Sequence, residues 1–324
     1  MIPIALDAMG GDRAPAEVVA GAVEAAAEGV ETILVGDEHR LKFELAGLGA
    51  DLPVVHAADV VTMDDDPRRA LREKPDSSIS VAARLVRDGV AGALVSAGST
   101  GAAMAAAAIV IGRSPGVQRP TIASVFPTLG SPTLVLDSGA NPEVKPKHLV
   151  QFALMGSVAA EVFFGMDKPR VGLLNNGEEP GKGRSLEKES HALLSAAAVN
   201  FVGNVEGRDL ALDRADVIVT DGFVGNIFLK TTEGVAQMVL ALVTEALGGL
   251  DSATLSKVEM ALQPIRQRLD YEHTGGAHLL GVGGVVVIAH GASSRLAIAN
   301  ALRQARDGIA RDLVARVTAR LAQE

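Results

Sequence analysis

Short polar and glycine-rich segments follow several of the apolar runs in this 324-residue sequence. Glycine lets backbone N–H groups approach a ligand closely, and the N-terminus of a following helix favours an anion. Nearly every segment also contains Asn or Asp, which turn chemistry alone does not demand. Together they predict a site for a phosphate or an oxyanion. The segments are residues 7–12 (DAMGGD), 96–101 (SAGSTG), 137–141 (DSGAN), 175–179 (NNGEE) and 221–226 (DGFVGN).

The predicted substrate- and phosphate-binding residues come from these segments. Ligands of open α/β sheets bind beyond the carboxyl ends of the strands, so each loop that follows a strand is a candidate. Ser99 and Thr100 stand at a predicted helix start, where capping of the helix is the commoner role of such residues. The predicted binding residues are Asp7, Gly10, Gly11, Asp12, Ser96, Gly98, Ser99, Thr100, Gly101, Asn141, Asn176, Asp221 and Gly225.

A cationic segment and one histidine add further candidates. Residues 177–185 (GEEPGKGRS) superficially resemble a nucleotide P-loop, but the spacing before the Gly-Lys pair is wrong and Gly follows the Lys. Lys182 and Arg184 still place two cations on a loop that either meets a phosphate or is simply solvated. His290 precedes GASS after an apolar run, so it is either catalytic or a hydrogen-bonded histidine at a helix start.

Other motifs do not support a cofactor or a metal site. GVGG at residues 281–284 does not lie between a first strand and its helix, as a dinucleotide fingerprint requires. In DDD at residues 64–66, Asp66 before Pro67 is typical of a helix cap followed by proline at the first helical position. The seven histidines show no paired metal spacing. We therefore predict no metal ligands and no cofactor.

Composition narrows the class of protein. A net charge of −9 and few aromatic residues argue against nucleic-acid binding, which needs concentrated Lys and Arg and stacking side chains. Without cysteine there are no disulfides, thiolate zinc sites or cysteine nucleophiles, which fits a reducing cytosol. No secretory signal is expected at the start, and the apolar stretches are expected to be too short or too interrupted to cross a bilayer.

Short β-rich runs alternate with helical patterns along the chain. This alternation predicts an α/β fold with a mainly parallel sheet that helices cover on both faces. No linker divides the chain, so residues 1–324 are predicted to form a single domain. The predicted strands are residues 2–6, 32–35, 54–56, 93–95, 122–125, 133–136, 171–174, 201–202, 217–220 and 285–288. The predicted helices include residues 16–28, 78–87, 100–111, 147–163, 186–196 and 293–321.

Residues 222–270 interrupt this alternation with a predicted helical excursion. The segment contains no convincing strand and is expected to form two long helices with a turn near residues 248–250. Val235, Met238, Val239, Leu242 and Val243 follow the i, i+3, i+4, i+7, i+8 stripe of an amphipathic helix. Burial in a core or in a dimer interface is favoured over an interfacial membrane helix, because the polar face is not basic.

At these segments the sequence resembles the bacterial phosphate acyltransferase family. The resemblance runs from Met1 to about Arg306. It implies a fold like that of isopropylmalate dehydrogenases and phosphotransacetylases, with a cleft between two α/β lobes. It also implies that acyl-[acyl-carrier-protein] and inorganic phosphate become acyl phosphate and free carrier protein for phospholipid synthesis. The motifs are DAMGGD at 7–12, MDD at 63–65, VSAGSTG at 95–101, GAN at 139–141, GNVE at 203–206 and TDGFVGN at 220–226.

The resemblance also implies partners and a location. We expect a cytoplasmic homodimer that associates peripherally with the cytoplasmic membrane and passes its product to a membrane glycerol-3-phosphate acyltransferase. Residues 235–247 and the apolar tip at Gly249 and Leu250 are then expected to be dimer and membrane elements.

The implied reaction gives roles to the candidate residues. Phosphate is already anionic at neutral pH, so positioning and oxyanion stabilisation matter more than a strong base. Direct attack on the thioester is expected, with phosphate held by Lys182 and by the glycine-loop amides. Asn141, Asn176 and Asn226 are expected to donate to the thioester carbonyl or to phosphate, and His290 is expected to protonate the leaving thiolate.

Two other functions remain open. A dehydrogenase of the isopropylmalate type would need clustered carboxylates for a divalent metal and a nicotinamide pocket, and the sequence shows neither clearly. A phosphate- or lipid-binding regulatory protein would use the same loops without chemistry.

Overall fold

A computed structural model describes residues 2–269 and 271–323 of the chain. The strands are β1 (Ile4–Asp7), β2 (Thr32–Gly36), β3 (Val54–His56), β4 (Ala93–Ser96), β5 (Thr121–Phe126), β6 (Thr133–Leu136), β7 (Arg170–Leu174), β8 (Asn200–Val205), β9 (Val217–Val219), β10 (Ala277–Leu280) and β11 (Val285–Ile288). The α-helices are α1 (Ala16–Ala26), α2 (Glu38–Gly47), α3 (Pro67–Glu73), α4 (Ser78–Arg87), α5 (Thr100–Ala106), α6 (Pro146–Phe164), α7 (Ser185–Ala196), α8 (Gly222–Leu247), α9 (Ser252–Leu269), α10 (Tyr271–Thr274), α11 (Arg295–Ala310) and α12 (Leu313–Leu321). A π-turn (Ala107–Ile111) extends α5, and a 3₁₀-helix (Gly207–Leu212) follows β8.

Every described strand belongs to one sheet in the order β3-β2-β1-β4-β11-β10-β5-β6-β9-β7-β8. Neighbouring strands are parallel except at three central pairs, β11–β10, β10–β5 and β5–β6. This confirms the predicted α/β fold with a mainly parallel sheet. Because three successive reversals separate them, the half with β1, β2, β3, β4 and β11 runs opposite to the half with β6, β7, β8 and β9.

Helices cover the sheet on both faces. Alternate residues of β1 enter different apolar clusters, as the twofold periodicity of a strand requires. Ile4 and Leu6 belong to a cluster that also contains residues of α1, α6 and α11, whereas Ala5 belongs to a cluster that contains residues of α4. The continuous apolar runs of the sequence are therefore strands that are buried from both sides.

Short polar side chains set the bounds of several helices. Asp66 Oδ1 accepts the Arg69 N–H at 2.8 Å, and Pro67 stands in the first turn of α3, as the sequence predicts. At the other end of the chain, Asp312 adopts a left-handed conformation with φ of 54°. The predicted helix over residues 293–321 is therefore two helices, α11 and α12.

The sequence did not predict β10. Its four residues, AHLL, include His278, which is buried and stacks on Phe163 with a ring-centroid distance of 4.0 Å. Burial lowers the pKa of His278 to about 4. A neutral histidine is compatible with a core strand. The strand was not predicted because His278 interrupts an apolar run of only four residues.

The helical excursion is present as α8 and α9, joined at the predicted turn near residues 248–250. Gly222 and Gly225 in the first turns of α8 are buried. Farther along, the predicted stripe residues Val235, Met238, Val239 and Leu242 are 46–57% exposed. Burial in the core of one chain therefore does not explain the stripe.

By length and composition alone, α8 could cross a membrane. This differs from the expectation that the apolar stretches are too short or too interrupted to do so. The helix has 26 residues, and its most apolar window has a mean hydropathy of 1.3. Lys230, Glu233 and Glu245 divide the segment into shorter apolar runs in the sequence, whereas the helix joins those runs into one long element. Its first turns nevertheless belong to the packed body of the protein.

Candidate active site

A cavity of about 620 Å³ lies over the central strands β5 and β10. One wall comes from the loops after β1, β4 and β11, with Asp12, Gly98, Thr100, His290 and Gly291. The other comes from the loop after β6 and from α8, with Ser138, Gly139, Asn226, Leu229, Lys230 and Glu233. The central strands contribute Ile122, Ser124, Val125, Ala277 and Ile288, and Met63, Ala289 and residues 274–276 complete the lining.

The two walls start at opposite edges of the sheet. A wholly parallel sheet would place every loop after a strand at one edge. Here the central reversals send the loops after β4 and β6 in opposite directions. The predicted polar loops therefore meet across a face of the sheet, above its short central strands.

The loops after β1 and β4 pack against each other through glycine. A Cβ on Gly10 would lie 2.9 Å from Gly98 N and 2.5 Å from Asp7 Oδ2. Ser96 Oγ donates to the buried Asp7 Oδ2 at 2.7 Å and accepts the Gly98 N–H at 3.0 Å. Burial raises the pKa of Asp7, against the opposing effect of hydrogen bonds such as that from Ser96. Of these four predicted residues only Gly98 lines the cavity, and the other three support it from below.

A second glycine turns the chain towards the cavity. Gly11 has φ of 112°, in the region that favours glycine. The next N–H, that of Asp12, donates to Gly291 O at 2.8 Å and joins the loops after β1 and β11. Asp12 and Gly291 both line the cavity, whereas Gly11 makes the turn that places Asp12 there.

His290 lines the cavity from the loop after β11. Its Nδ1 accepts the Ala292 N–H at 3.2 Å. A ring nitrogen that accepts a hydrogen bond carries no proton, so the proton of the neutral ring lies on Nε2. The neutral imidazole of His290 is therefore a hydrogen-bond donor at Nε2.

The three predicted residues at the start of α5, Ser99, Thr100 and Gly101, have different positions relative to the cavity. Ser99 occupies the N-cap position without a side-chain capping hydrogen bond, so the commoner capping role is not realised. Thr100 lines the cavity. A Cβ on Gly101 would lie 2.7 Å from Pro67 Cγ, so this glycine fits α5 against α3 and does not face the cavity.

The loop after β6 is organised by the buried carboxylate of Asp137. It accepts the backbone N–H groups of Ile122, Gly139, Ala140 and Asn141. Burial raises the pKa of Asp137, although these hydrogen bonds oppose the rise. The carboxylate thereby holds the turn that presents Ser138 and Gly139 to the cavity.

Asn141 has a different role from the predicted one. Its side-chain amide donates to Asp137 Oδ2 at 2.8 Å and to Pro120 O at 2.7 Å. Both hydrogens of the amide are therefore used, and the side chain is absent from the cavity lining. The predicted donation from Asn141 to a substrate is corrected: Asn141 fixes the loop after β6.

Close backbone contact places α8 in the wall. A Cβ on Gly225 would lie 1.9 Å from Asp137 O, so only glycine allows this approach. Asp221 Oδ1 accepts the Val224 N–H at 2.8 Å, and Asp221 Oδ2 accepts from Arg184 at 2.5 Å. Asp221 and Gly225 thus position α8 and do not line the cavity, whereas Asn226, on the next turn, lines it.

Lys182 and Asn176 do not reach the cavity. Both follow β7, which lies two strands beyond β6 in the sheet. Two strand spacings amount to roughly 10 Å. Both side chains are exposed, and Lys182 Nζ lies 3.9 Å from Glu179 Oε2. Neither predicted residue therefore lines this cavity.

Five polar residues of the cavity were not predicted from the sequence, namely Ser124, Ser138, Lys230, Glu233 and Thr274. Ser124 and Ser138 share a hydrogen bond of 2.7 Å between their hydroxyls. Lys230 and Glu233 extend the wall along α8. A signal for the second pair existed, because positions four and seven after Asn226 share its helix face.

One acidic group lies near the end of β8. Carboxylate oxygens of Glu178, Glu206 and Asp209 fall within 4.8 Å of one another. Arg214 lies 3.7 Å from Glu178, Arg208 pairs with Glu206, and Asp209 accepts the Glu206 N–H. None of the three carboxylates lines the cavity, where a dehydrogenase would be expected to place its clustered metal ligands.

Comparison with known proteins relates the chain to acyl-transferring enzymes. Residues 2–316 match a family described as "Fatty acid synthesis protein". The phosphate acyltransferase of Desulforamulus reducens is 49% identical over 97% of this chain and 96% of its own length. That of Heliobacterium modesticaldum is 50% identical, with coverage of 97% and 96%.

Solved structures agree in fold. A phosphotransacetylase from Streptococcus pyogenes superposes with a TM-score of 0.63 and 18% identity, covering 94% of both chains. A putative 4-hydroxythreonine-4-phosphate dehydrogenase from Salmonella typhimurium has a TM-score of 0.54 and 13% identity, covering 95% of this chain and 99% of its own. Acyltransferases and dehydrogenases share this architecture, so the fold alone does not choose between the two chemistries.

Proposed function

This chain belongs to the bacterial phosphate acyltransferase family, and we propose that it converts acyl-[acyl-carrier-protein] and inorganic phosphate to acyl phosphate and free carrier protein. The observation that carries the proposal is an identity of about half over nearly the whole length of enzymes named phosphate acyltransferase. The product would supply phospholipid synthesis through a membrane glycerol-3-phosphate acyltransferase.

The proposed chemistry is direct acyl transfer. An oxygen of monohydrogen phosphate attacks the thioester carbonyl carbon and the carbon–sulfur bond breaks. The carrier leaves as a thiolate, which takes up the proton that the phosphate loses. The chain has no cysteine, so no thioester intermediate forms on the enzyme. Phosphate is already an anionic nucleophile, and the enzyme's main tasks are to position both substrates and to stabilise the oxyanion.

The lining residues support this chemistry from two sides. His290, whose neutral ring carries its proton on Nε2, is the proposed hydrogen-bond donor to the leaving sulfur. Asn226 on the opposite wall is the proposed donor to the thioester carbonyl or to phosphate. Apolar side chains between them, including Ile122 and Ile288, favour the apolar part of the substrate and exclude water from the reacting atoms.

A homodimer and a membrane contact are proposed for the excursion. The exposed apolar stripe on α8 is of the kind that a second copy covers. Leu250, 41% exposed at the tip between α8 and α9, is the proposed contact with the cytoplasmic membrane surface. Sedimentation with phospholipid vesicles checks this peripheral attachment, and a protein that stays wholly in the supernatant would contradict it.

The decisive experiment is product identification. Purified protein with acyl-[acyl-carrier-protein] and phosphate is expected to yield acyl phosphate and free carrier thiol in equal amounts, without nicotinamide or added metal. A regulatory protein would bind phosphate without cleaving the thioester. A dehydrogenase would reduce a nicotinamide with its own substrate and leave the thioester intact. Failure to form acyl phosphate would overturn the proposed function.

A further inference from the structure

We propose that Lys230 is the cation that binds the phosphate substrate, and that Glu233 masks this cation until phosphate displaces the carboxylate. The inference rests on the proposed function, because it names a residue for one of its two substrates. It also replaces Lys182, which the sequence pattern favoured, with a lysine that the fold places in the cavity.

The first support is position. Lys230 and Glu233 follow Asn226 by four and seven residues on α8. Such residues share one face of a helix, and four residues rise by roughly 6 Å along its axis. All three line the cavity. A phosphate that contacts Lys230 would therefore lie within about one helical turn of Asn226, the proposed donor to the thioester carbonyl.

The second support is charge. Among the described residues that line the cavity, Lys230 is the only one with a permanent positive charge, whereas Asp12 and Glu233 are acidic. A phosphate dianion entering between two carboxylates is repelled unless a cation offsets them. A charge-assisted hydrogen bond from an ammonium group supplies that offset, and lysine commonly binds phosphate in this way.

The third support is the contact that Lys230 makes. Its Nζ lies 2.9 Å from Glu233 Oε2, and the two side chains are 56% and 39% exposed. Ion pairs with such access to solvent contribute little, so exchange of the carboxylate for phosphate costs little. Glu233 is thus a competitor of phosphate for the same ammonium group, and its removal should help phosphate to bind.

The test uses two substitutions with opposite expected signs. We expect Lys230→Met to raise the KM for phosphate roughly 10–100-fold, the usual loss for a hydrogen bond to a charged group. Glu233→Gln should lower the KM for phosphate roughly 2–5-fold, in keeping with a partly exposed ion pair. The KM for acyl-[acyl-carrier-protein] should change little in either variant. An ion pair with only a structural role would instead make both variants worse.

Matched controls exist on α2, where Lys42 Nζ lies 2.5 Å from Glu38 Oε1 and the side chains are 64% and 44% exposed. Lys42→Met and Glu38→Gln remove the same charges from a similar helical pair away from the cavity, and both should leave the KM for phosphate unchanged. If Lys230→Met folds poorly, Glu233→Gln still carries the test, because a raised KM for phosphate in that variant contradicts the proposal.

The outcomes separate the two proposals. A wild-type protein without phosphate-dependent thioester cleavage would remove the proposed function itself. An active wild type whose KM for phosphate is unchanged in Lys230→Met, or raised in Glu233→Gln, would overturn the role of Lys230 and leave the proposed function standing.

Discussion

His290 connects a local hydrogen bond to a specific chemical role. Since its Nδ1 accepts the Ala292 N–H, the neutral ring keeps its proton on Nε2. A thiolate that leaves a thioester needs one proton, which an attacking monohydrogen phosphate brings with it. We propose that the Nε2–H of His290 stabilises the leaving sulfur by a hydrogen bond. The loop after β11 thus selects Nε2 as the hydrogen-bond donor of the neutral ring.

We expect His290→Ala to lower kcat by roughly 10²–10³-fold, the usual loss when one donor to a developing negative charge is removed, while the KM for phosphate changes little. Release of carrier thiol at saturating phosphate measures this effect. His39→Ala, at an exposed position on α2, serves as the matched control. A variant with wild-type kcat would remove His290 from the reaction.

The lysines illustrate what the sequence can predict at this scale. Glycines and a neighbouring arginine make Lys182 conspicuous, but a loop motif does not show how far its strand lies from the site. Lys230 stands in an ordinary helical stretch, and it becomes a candidate only because Asn226 one turn earlier lies in the cavity wall. The sequence predicted that a lysine binds phosphate, but it did not show how far each lysine lies from the cavity across the sheet.

At the scale of elements, α8 depends on one glycine contact. The helix starts at the cap formed by Asp221, and Gly225 brings its backbone against the carbonyl oxygen of Asp137. That contact sets the positions of Asn226, Lys230 and Glu233 together. A side chain added at Gly225 should therefore displace all three of these lining residues together.

We expect Gly225→Ala to destabilise the fold by about 1–3 kcal/mol or more and to lower activity, because its Cβ would overlap Asp137 O. Thermal unfolding and thiol release measure the two effects. Gly234→Ala on the same helix is the control: no atom lies within 4 Å of its Cβ position. Removing a helical glycine there should stabilise by about 0.5–1 kcal/mol. Equal effects at both positions would refute the contact argument.

The observed helix boundaries match the predicted ones where capping residues and apolar periodicity indicate the same position. The cap at Asp66 and the turn near residues 248–250 were both predictable from local chemistry. β10 was not, because a buried His278 interrupts a run of four residues. The break between α11 and α12 was also missed, because Asp312 in a left-handed conformation leaves the apolar periodicity continuous.

At the scale of the whole molecule, the site exists because the sheet reverses direction in its centre. Alternating strands and helices predict parallel pairing, and most pairs obey it. The two halves run in opposite directions because β10, which was not predicted, pairs antiparallel with both of its neighbours and β5 pairs antiparallel with β6. The sequence therefore predicts polar loops, while the topology decides which of them face one another across the cleft.

The exposed stripe on α8 makes a prediction for assembly. We expect the wild type to be a dimer and Val239→Asp to be a monomer, because a charge would be buried at the apolar contact. Light scattering coupled to size-exclusion chromatography measures the mass. Gln237→Asp adds the same charge roughly 200° around the helix and should remain dimeric. A monomeric wild type, or a dimeric Val239→Asp variant, would contradict this interface.

The central claim is that phosphate itself is the nucleophile, and isotope transfer tests it most directly. Phosphate that carries four ¹⁸O atoms is incubated with acyl-[acyl-carrier-protein] and the protein, and the product is analysed by mass spectrometry. We predict acyl phosphate that retains all four labelled oxygens, formed in equal amount with carrier thiol. Free fatty acid with oxygen from solvent, or thioester cleavage that proceeds without phosphate, would contradict the account.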